Sequence, residues 1–352
     1  MVTDKIRPYN DPRISYRSAH LNGITYGYIY SPRSTLVPSR GTIFLIHGFP
    51  DVSLGWRYQI PFLTSLGLDA IALDCIGYGR TDSPRFNLSY YTYKRIAADI
   101  GTLCAQLGLS QIILGGHDWG GAIVYRVAQY YPALVTALFS ICTPFFLPRA
   151  KYEPLAQLVG KRLPNFAYQL HYVSGEIEEA VNSKVEIRQF LDNIYGGRTS
   201  DGREGFDAEK GIDLRMQREI GKNQLLNEEE MEYYVAEFAR HGLNGPLNWY
   251  RSREENYVNE WRDFFLEGNA SEEEVRKRVT IRHEVLFVLA TNDTTLKSFM
   301  AERMVERIPK LTRREVATGH WALWQKPDDV NRLIGDWLKE KVFPQLERES
   351  KL

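Results

Sequence analysis

Cysteine is scarce in this 352-residue chain: the three present, Cys75, Cys104 and Cys142, are odd in number, widely spaced and set in apolar stretches. That pattern argues against a disulfide framework or a Cys-x-x-Cys metal knuckle and points to a reducing compartment. Surplus charge is missing as well, with 44 Lys and Arg against 44 Asp and Glu. Nucleic acids and anionic membrane surfaces need clustered cations, so neither is an expected partner. No apolar run approaches the ~20 residues of a membrane span, and the opening MVTDKIRPYNDPR has no apolar centre of signal-peptide length. Internal repeats and low-complexity tracts are also missing. What is there, 43% hydrophobic and 25% charged residues, is the make-up of a globular chain with a sizeable core. The expected partner is a small, weakly charged molecule.

Two β-rich stretches, ISYRSAHL and ITYGYIYS, precede TIFLIHGFP at 42–50, a buried-strand run that ends in a turn. DAIALDC at 69–75 reads as the next strand, and residues 91–109 carry apolar positions at helical spacing. Strand QIILGG, helix GAIVYRVAQYY and strand ALFSICT follow. Strands that are apolar on both faces and alternate with helices predict an α/β fold with a mostly parallel sheet. After Pro144 the rhythm changes to aromatic and charged helical segments, and it returns at EVLFVLATND (284–293), followed by helix SFMAERMVERI, strand TRREVAT and a terminal helix. The expected organisation is a core of residues 1–144 and 280–352 interrupted by a helical lid, 145–279. An insertion beyond the carboxyl end of a strand would sit over the crevice where open α/β sheets bind ligands.

The stretch GGHDWGG at 115–121 sits at the end of the strand IIL. A strand-turn-helix with small flanking residues is a nucleophile elbow, here with Asp118 where serine is usual and with Gly116 and Gly120 as the flanks. An aspartate before a helix could instead cap N–H groups, but a cap has no use for strand-side glycines. The elbow needs an acid and a histidine later in the chain, in that order. Asp293 closes the strand 284–293, and His320, in TGHW, follows the strand 312–318. Of the seven histidines, His320 alone combines a strand-end position with late order. Asp293 could also serve merely to stabilise a turn. No carboxylate follows the strand ending at Thr143, which removes a competing acid position. Oxyanion donors would be the backbone N–H groups of Trp119 and Phe49, the latter in HGFP, where Pro50 is a candidate cis position.

HGFP, GHDWGG, ATND, TGHW and, in the insertion, NWYR together resemble the soluble epoxide hydrolases of the α/β-hydrolase superfamily, in the fungal-like form with the hydrolase domain only. The resemblance covers the chain from about residue 13. It implies an α/β-hydrolase fold with an inserted helical lid, Asp118 as nucleophile, Asp293 and His320 as the water-activating pair, and two lid tyrosines that bind the epoxide oxygen. Tyr250 lies in NWYR; Tyr168 matches through its Tyr-Gln-Leu order, with Tyr172 a neighbouring competitor. Substrate contacts are implied at Trp119, Gln169 and Phe49. No cofactor or metal is implied, and the partners become a small apolar epoxide and water.

A hydrolytic haloalkane-type dehalogenase also uses an elbow aspartate, often with a following Trp. Those enzymes usually carry Asn where this chain has Phe49, and halide departure needs no phenolic acid. A non-catalytic ligand receptor on the same scaffold is a third reading, opposed by the filled reactive positions. Finally, Ser350-Lys351-Leu352 reads as a peroxisomal address recognised by an import receptor, with a cytoplasmic location otherwise.

Overall fold

A computed structural model describes residues 3–349; the tripeptide Ser350-Lys351-Leu352 lies outside the described residues. Strands β1 (Ser15–Leu21) and β2 (Ile24–Ser31) form a hairpin through Asn22 and Gly23, both at positive φ, as a tight two-residue turn requires. Next come β3 (Thr42–Ile46), β4 (Asp69–Leu73), β5 (Ile112–His117) and β6 (Val135–Ile141). Helices α1 (Gln59–Ser65), α2 (Tyr93–Gln106) and α3 (Trp119–Tyr130) connect them. The strands of β3 and β5 are buried along their whole length, which is why both read as unbroken apolar runs.

Between β6 and the next core strand the chain forms α4 (Leu155–Lys161), α5 (Tyr168–Ser174), α6 (Glu176–Ala180) and α7 (Lys184–Ile194). A two-residue hairpin, β7 (Phe206–Asp207) with β8 (Gly211–Ile212), then leads to α8 (Glu228–Phe238), α9 (Asn244–Arg251), α10 (Arg253–Phe265) and α11 (Glu272–Val279). The hairpin is a feature that periodicity did not signal, being too short for an alternating pattern. The core resumes with β9 (Glu284–Ala290) and β10 (Leu311–Val316), then α12 (Ala322–Gln325), α13 (Pro327–Trp337) and α14 (Phe343–Glu349).

Eight strands make one sheet in the order β1-β2-β4-β3-β5-β6-β9-β10, parallel from β4 through β10 and antiparallel at the β1 and β2 edge. The chain runs from β3 to β4 on one side and then to β5 on the other, so the loops after β3 and β5 part at a topological switch point, where such sheets open a crevice. The helical insertion is fastened over these loop ends. Tyr234 donates to Asp51 at 2.6 Å, Tyr195 to the Pro50 carbonyl at 2.6 Å, and Trp249 Nε1 to the Ile76 carbonyl at 2.9 Å.

The helix expected after β9 is present as the 3₁₀ helix Ser298–Glu306. Its two fully buried residues, Ala301 and Met304, are three apart, the spacing that the tighter helix aligns on one face. Among the described residues, no helix is long and apolar enough to cross a membrane.

Candidate active site

The elbow is built by close contact. Asp118 has φ 53° and ψ −122°, a conformation that costs a non-glycine residue about 1–3 kcal/mol and persists only where its surroundings hold it. A Cβ on Gly120 would lie 1.9 Å from the Ile46 carbonyl oxygen, and one on Gly116 would lie 2.2 Å from that of Gly120. Strand β3, strand β5 and helix α3 therefore approach each other closer than any side chain allows. Thr143 donates its hydroxyl to the Asp118 carbonyl at 2.6 Å and the Gly121 N–H donates to the same oxygen at 2.9 Å, which pins the turn from both sides.

Asp118 occupies the cap position of α3, yet its side chain makes no capping hydrogen bond. It turns instead toward the other two loops. Oδ1 accepts the Phe49 N–H at 2.8 Å, and Oδ2 lies 3.5 Å from His320 Nε2. Gly48 has to be glycine for this, since a Cβ there would meet Oδ1 at 2.2 Å. The Phe49–Pro50 bond is cis.

His320 Nδ1 meets Asp293 Oδ2 at 2.7 Å. The other Asp293 oxygen accepts from the Thr295 N–H, the Thr295 hydroxyl and the Leu296 N–H at 2.8, 2.7 and 3.1 Å. Asp293 thus both stabilises its turn and faces the imidazole. Burial works against its ionisation, but the imidazole and these donors hold the carboxyl well below the usual range. Burial also disfavours a charged His320, yet the Asp293 and Asp118 carboxylates outweigh it and carry the imidazolium up to about 10. At neutral pH His320 therefore rests as a cation beside the ionised Asp293.

The opposite wall comes from the insertion. Asp118, Trp119, Tyr168, Gln169 and Tyr250 line one cleft enclosing about 1160 Å³, including its open mouth. Tyr250 stands edge-on to Trp119, with ring centroids 5.1 Å apart, and to Phe49 at 5.2 Å. Tyr168 lies 6.2 Å from Tyr250, centroid to centroid, and its hydroxyl accepts from Gln169 Nε2 at 3.3 Å. Burial and then the nearby Asp118 charge raise the Tyr168 phenol, and burial raises that of Tyr250, so both stay protonated at neutral pH. Tyr172 packs against Phe49 and Tyr250 at 5.1 and 5.0 Å but does not line the cleft. The Phe49 ring likewise packs edge-on against Tyr250, while its N–H faces Asp118.

His117, Cys142 and His320 offer ligand atoms within 4.8 Å of one another. Apart from His117 Nδ1, which is buried with no hydrogen-bond partner among the described residues, their donors are committed elsewhere: His117 Nε2 and the Cys142 thiol both face the His320 carbonyl, at 2.9 and 3.3 Å, and both His320 nitrogens face carboxylates. Burial pushes the Cys142 thiol up and the His117 imidazole down to about 4, leaving both neutral. Buried His47, pushed down to about 4 for the same reason, accepts the Cys75 N–H at 3.0 Å and braces the loop after β3.

Sequence reasoning passed over three supporting residues. Thr143 holds the elbow, Thr295 holds Asp293, and Asn165 donates to the Thr295 carbonyl at 2.6 Å, which ties the segment before Tyr168 to the acid loop. Asp-x-Thr in NDTT carried a local signal for Thr295, because an aspartate two residues before a threonine favours such a turn. The other two contacts are long-range and leave no local pattern.

A family described as the alpha/beta hydrolase fold matches residues 41–327. Epoxide hydrolase srdG of Neurospora crassa is 36% identical over 97% of this chain and 99% of its own length. Bifunctional epoxide hydrolase 2 of Sus scrofa is 32% identical over 93% of this chain, which spans 58% of that longer protein. Among solved structures, epoxide hydrolase A from Mycobacterium thermoresistibile superimposes with a TM-score of 0.75 at 26% identity, covering 93% of this chain and 98% of its own. An elbow aspartate facing an Asp-His pair, on a chain similar end to end to such proteins, has one place among the hydrolases: this chain belongs to the epoxide hydrolases of the α/β-hydrolase fold family.

Proposed function

We propose that the chain hydrolyses epoxides to vicinal diols through a covalent alkyl ester on Asp118, with residues 145–279 serving as the lid. The observation that carries this reading is the division of the Asp118 carboxylate. Oδ1 is held by the Phe49 N–H at 2.8 Å, in position to become the ester carbonyl oxygen, while Oδ2 remains available to attack. A carboxylate with pKa near ~4 needs no base to make it a nucleophile. Attack at a ring carbon breaks that carbon's bond to the epoxide oxygen. The developing alkoxide takes a proton or hydrogen bonds from Tyr168 and Tyr250, both neutral phenols aimed into the same cleft.

Ester formation also resets the base. It cancels the Asp118 charge, one of the two that hold His320 protonated, so the imidazolium gives its proton to solvent and the neutral ring becomes competent to activate water. Water adds to the ester carbonyl carbon while the Phe49 and Trp119 N–H groups stabilise the oxyanion. The bond between that carbon and the alkyl oxygen then breaks, the leaving oxygen taking the proton that His320 accepted from the water, which frees the diol and the Asp118 carboxylate. Asp293 keeps the imidazole oriented throughout.

Single-turnover hydrolysis in ¹⁸O-water tests the sequence of bonds. The label is expected in the Asp118 carboxyl, with the first diol carrying an unlabelled oxygen from the enzyme; label in that first diol would rule out the ester. A halide assay on haloalkanes addresses the dehalogenase alternative, for which the two phenols would have no task. Aromatic and aliphatic lining, including Phe146, Leu158, Leu163 and Phe166, favours apolar epoxides. The peroxisomal reading rests on Ser350-Lys351-Leu352 alone. A fluorescent protein fused ahead of that tripeptide should be imported, and a fusion that stays cytosolic would reject the address.

A further inference from the structure

The imidazole that activates water in the proposed reaction takes its direction from Asp293, and Asp293 takes its own from the residues that follow it. Oδ2 meets His320 Nδ1, while Oδ1 accepts the Thr295 N–H, the Thr295 hydroxyl and, at 3.1 Å, the Leu296 N–H. The last of these donors belongs to the Thr295–Leu296 peptide. Across that trans peptide the Thr295 carbonyl points the opposite way, and it accepts Asn165 Nδ2 at 2.6 Å. Among the described residues this carbonyl accepts no other hydrogen bond. One peptide group is therefore held at both ends, at its oxygen by the insertion and at its N–H by the acid.

Asn165 sits rigidly for this contact. It is 1% exposed, and it lies in the short 3₁₀ turn Pro164–Phe166, where the proline ring sets the first φ. Met300 Sδ lies 3.7 Å from the same Nδ2. Neighbours on both sides of the contact line the cleft: Phe166 and Tyr168 from the insertion, Leu296 from the core. A buried carboxamide costs free energy unless it is bonded, and an aliphatic side chain could fasten the insertion without that cost. Donation to a carbonyl also polarises the N–H of the same peptide, which strengthens the bond from Leu296 to Asp293. The contacts thus run from Asn165 through one peptide to the carboxylate and on to the ring nitrogen. We infer that Asn165 is a positioning residue for the water-activating pair, acting through Thr295 and Leu296 on Asp293, so that the seating of the insertion sets the accuracy of ester hydrolysis. The inference goes beyond the proposed covalent route and rests on it.

Rapid-quench intact-mass measurement with a neutral aryl epoxide reads the two steps apart. Rates are taken per site that becomes alkylated, so a misfolded fraction changes the number of sites and not the rates. Asn165→Leu, close in size and without the donor, should slow decay of the ester about tenfold and change alkylation by less than about twofold. Asn165→Asp keeps the shape but places an acceptor against the carbonyl; at neutral pH it should slow decay at least as much, and it carries the test if the leucine variant does not fold. A stitch that only fastened the insertion would have no reason to act on one step. Unchanged decay per site, with fewer sites or a lower melting temperature, would overturn the inference, and so would equal slowing of both steps. If the unaltered protein gave neither adduct nor diol, the hydrolase reading itself would fall, and this inference with it.

Discussion

The two walls of the cleft are held by different physics. On the core side every reacting group is tied by hydrogen bonds that lead to backbone: Asp118 by the Phe49 N–H and by a strained turn, Asp293 by two N–H groups and a hydroxyl, and His320 through the Asp293 carboxylate. On the insertion side Tyr168 and Tyr250 are placed mainly by ring-on-ring packing, with hydrogen bonding from Gln169 to the Tyr168 hydroxyl and between the two phenols themselves. Hydrogen bonds to fixed backbone locate an atom within a few tenths of an ångström, whereas aromatic edges tolerate sliding. In the proposed mechanism the nucleophile and its water-activating pair need that accuracy because a displacement of one ångström costs orders of magnitude in rate, while the acid wall accepts substrates of differing shape, so that chemistry would belong to the core and accommodation to the insertion.

Separating the two steps is the strongest way to break this comparison. Replacing His320 with Gln should let alkylation proceed and reduce turnover by about 10³-fold or more, with intact-mass measurement revealing enzyme plus substrate. A folded variant that never gains mass would place His320 in the first step and erase the division. Replacing Tyr250 with Phe should act on the other wall, slowing single-turnover alkylation by about 10- to 100-fold and leaving decay of the ester unaltered. Partial rather than complete loss is expected because Tyr168 offers a second phenol, and an unchanged alkylation rate would remove Tyr250 from the acid role.

The smallest effect concerns the seam between the walls. Asp51, wholly buried and hydrogen-bonded by Tyr234 of the insertion, is pushed up by burial to about 7, and buried Asp74 to about 6. In both cases the folded state keeps a proton that the unfolded chain releases near pH ~4. Their contribution is therefore fully present below pH ~4 and declines as pH rises toward 7. Asp51→Asn should flatten the dependence of chemical-denaturation stability on pH across that window, by on the order of a few kcal/mol at most. An unaltered slope would show that Asp51 is ionised in the seam, with a charge that Tyr234 stabilises.

Legibility followed the range of the interactions. The strands β3, β5, β6 and β9 could be read because burial on both faces leaves an unbroken apolar run, and the elbow because glycines are compelled there by backbone contacts of about 2 Å. The 3₁₀ character of Ser298–Glu306 and the hairpin β7–β8 were not legible, since short elements take their form from what they pack against. Between Tyr168 and Tyr172 the Tyr-Gln-Leu order favoured the first, but burial does not separate them, and it is the path of α5 that places Tyr168 at the cleft and Tyr172 behind it.

By itself the sequence determined the chemistry proposed for this protein, because residue types and their order along the chain single out a candidate nucleophile, acid and base before any geometry is known. Tertiary structure alone decided that Asp118 presents one oxygen to Phe49 and the other to His320, that Thr143 and Asn165 hold the loops in place, and that Arg149 and Arg162 both pair with Glu153 at the mouth. The reason is one of distance in sequence: most of these groups lie tens to more than two hundred residues apart, and only the closing of the sheet and the seating of the insertion bring their charges within reach of one another.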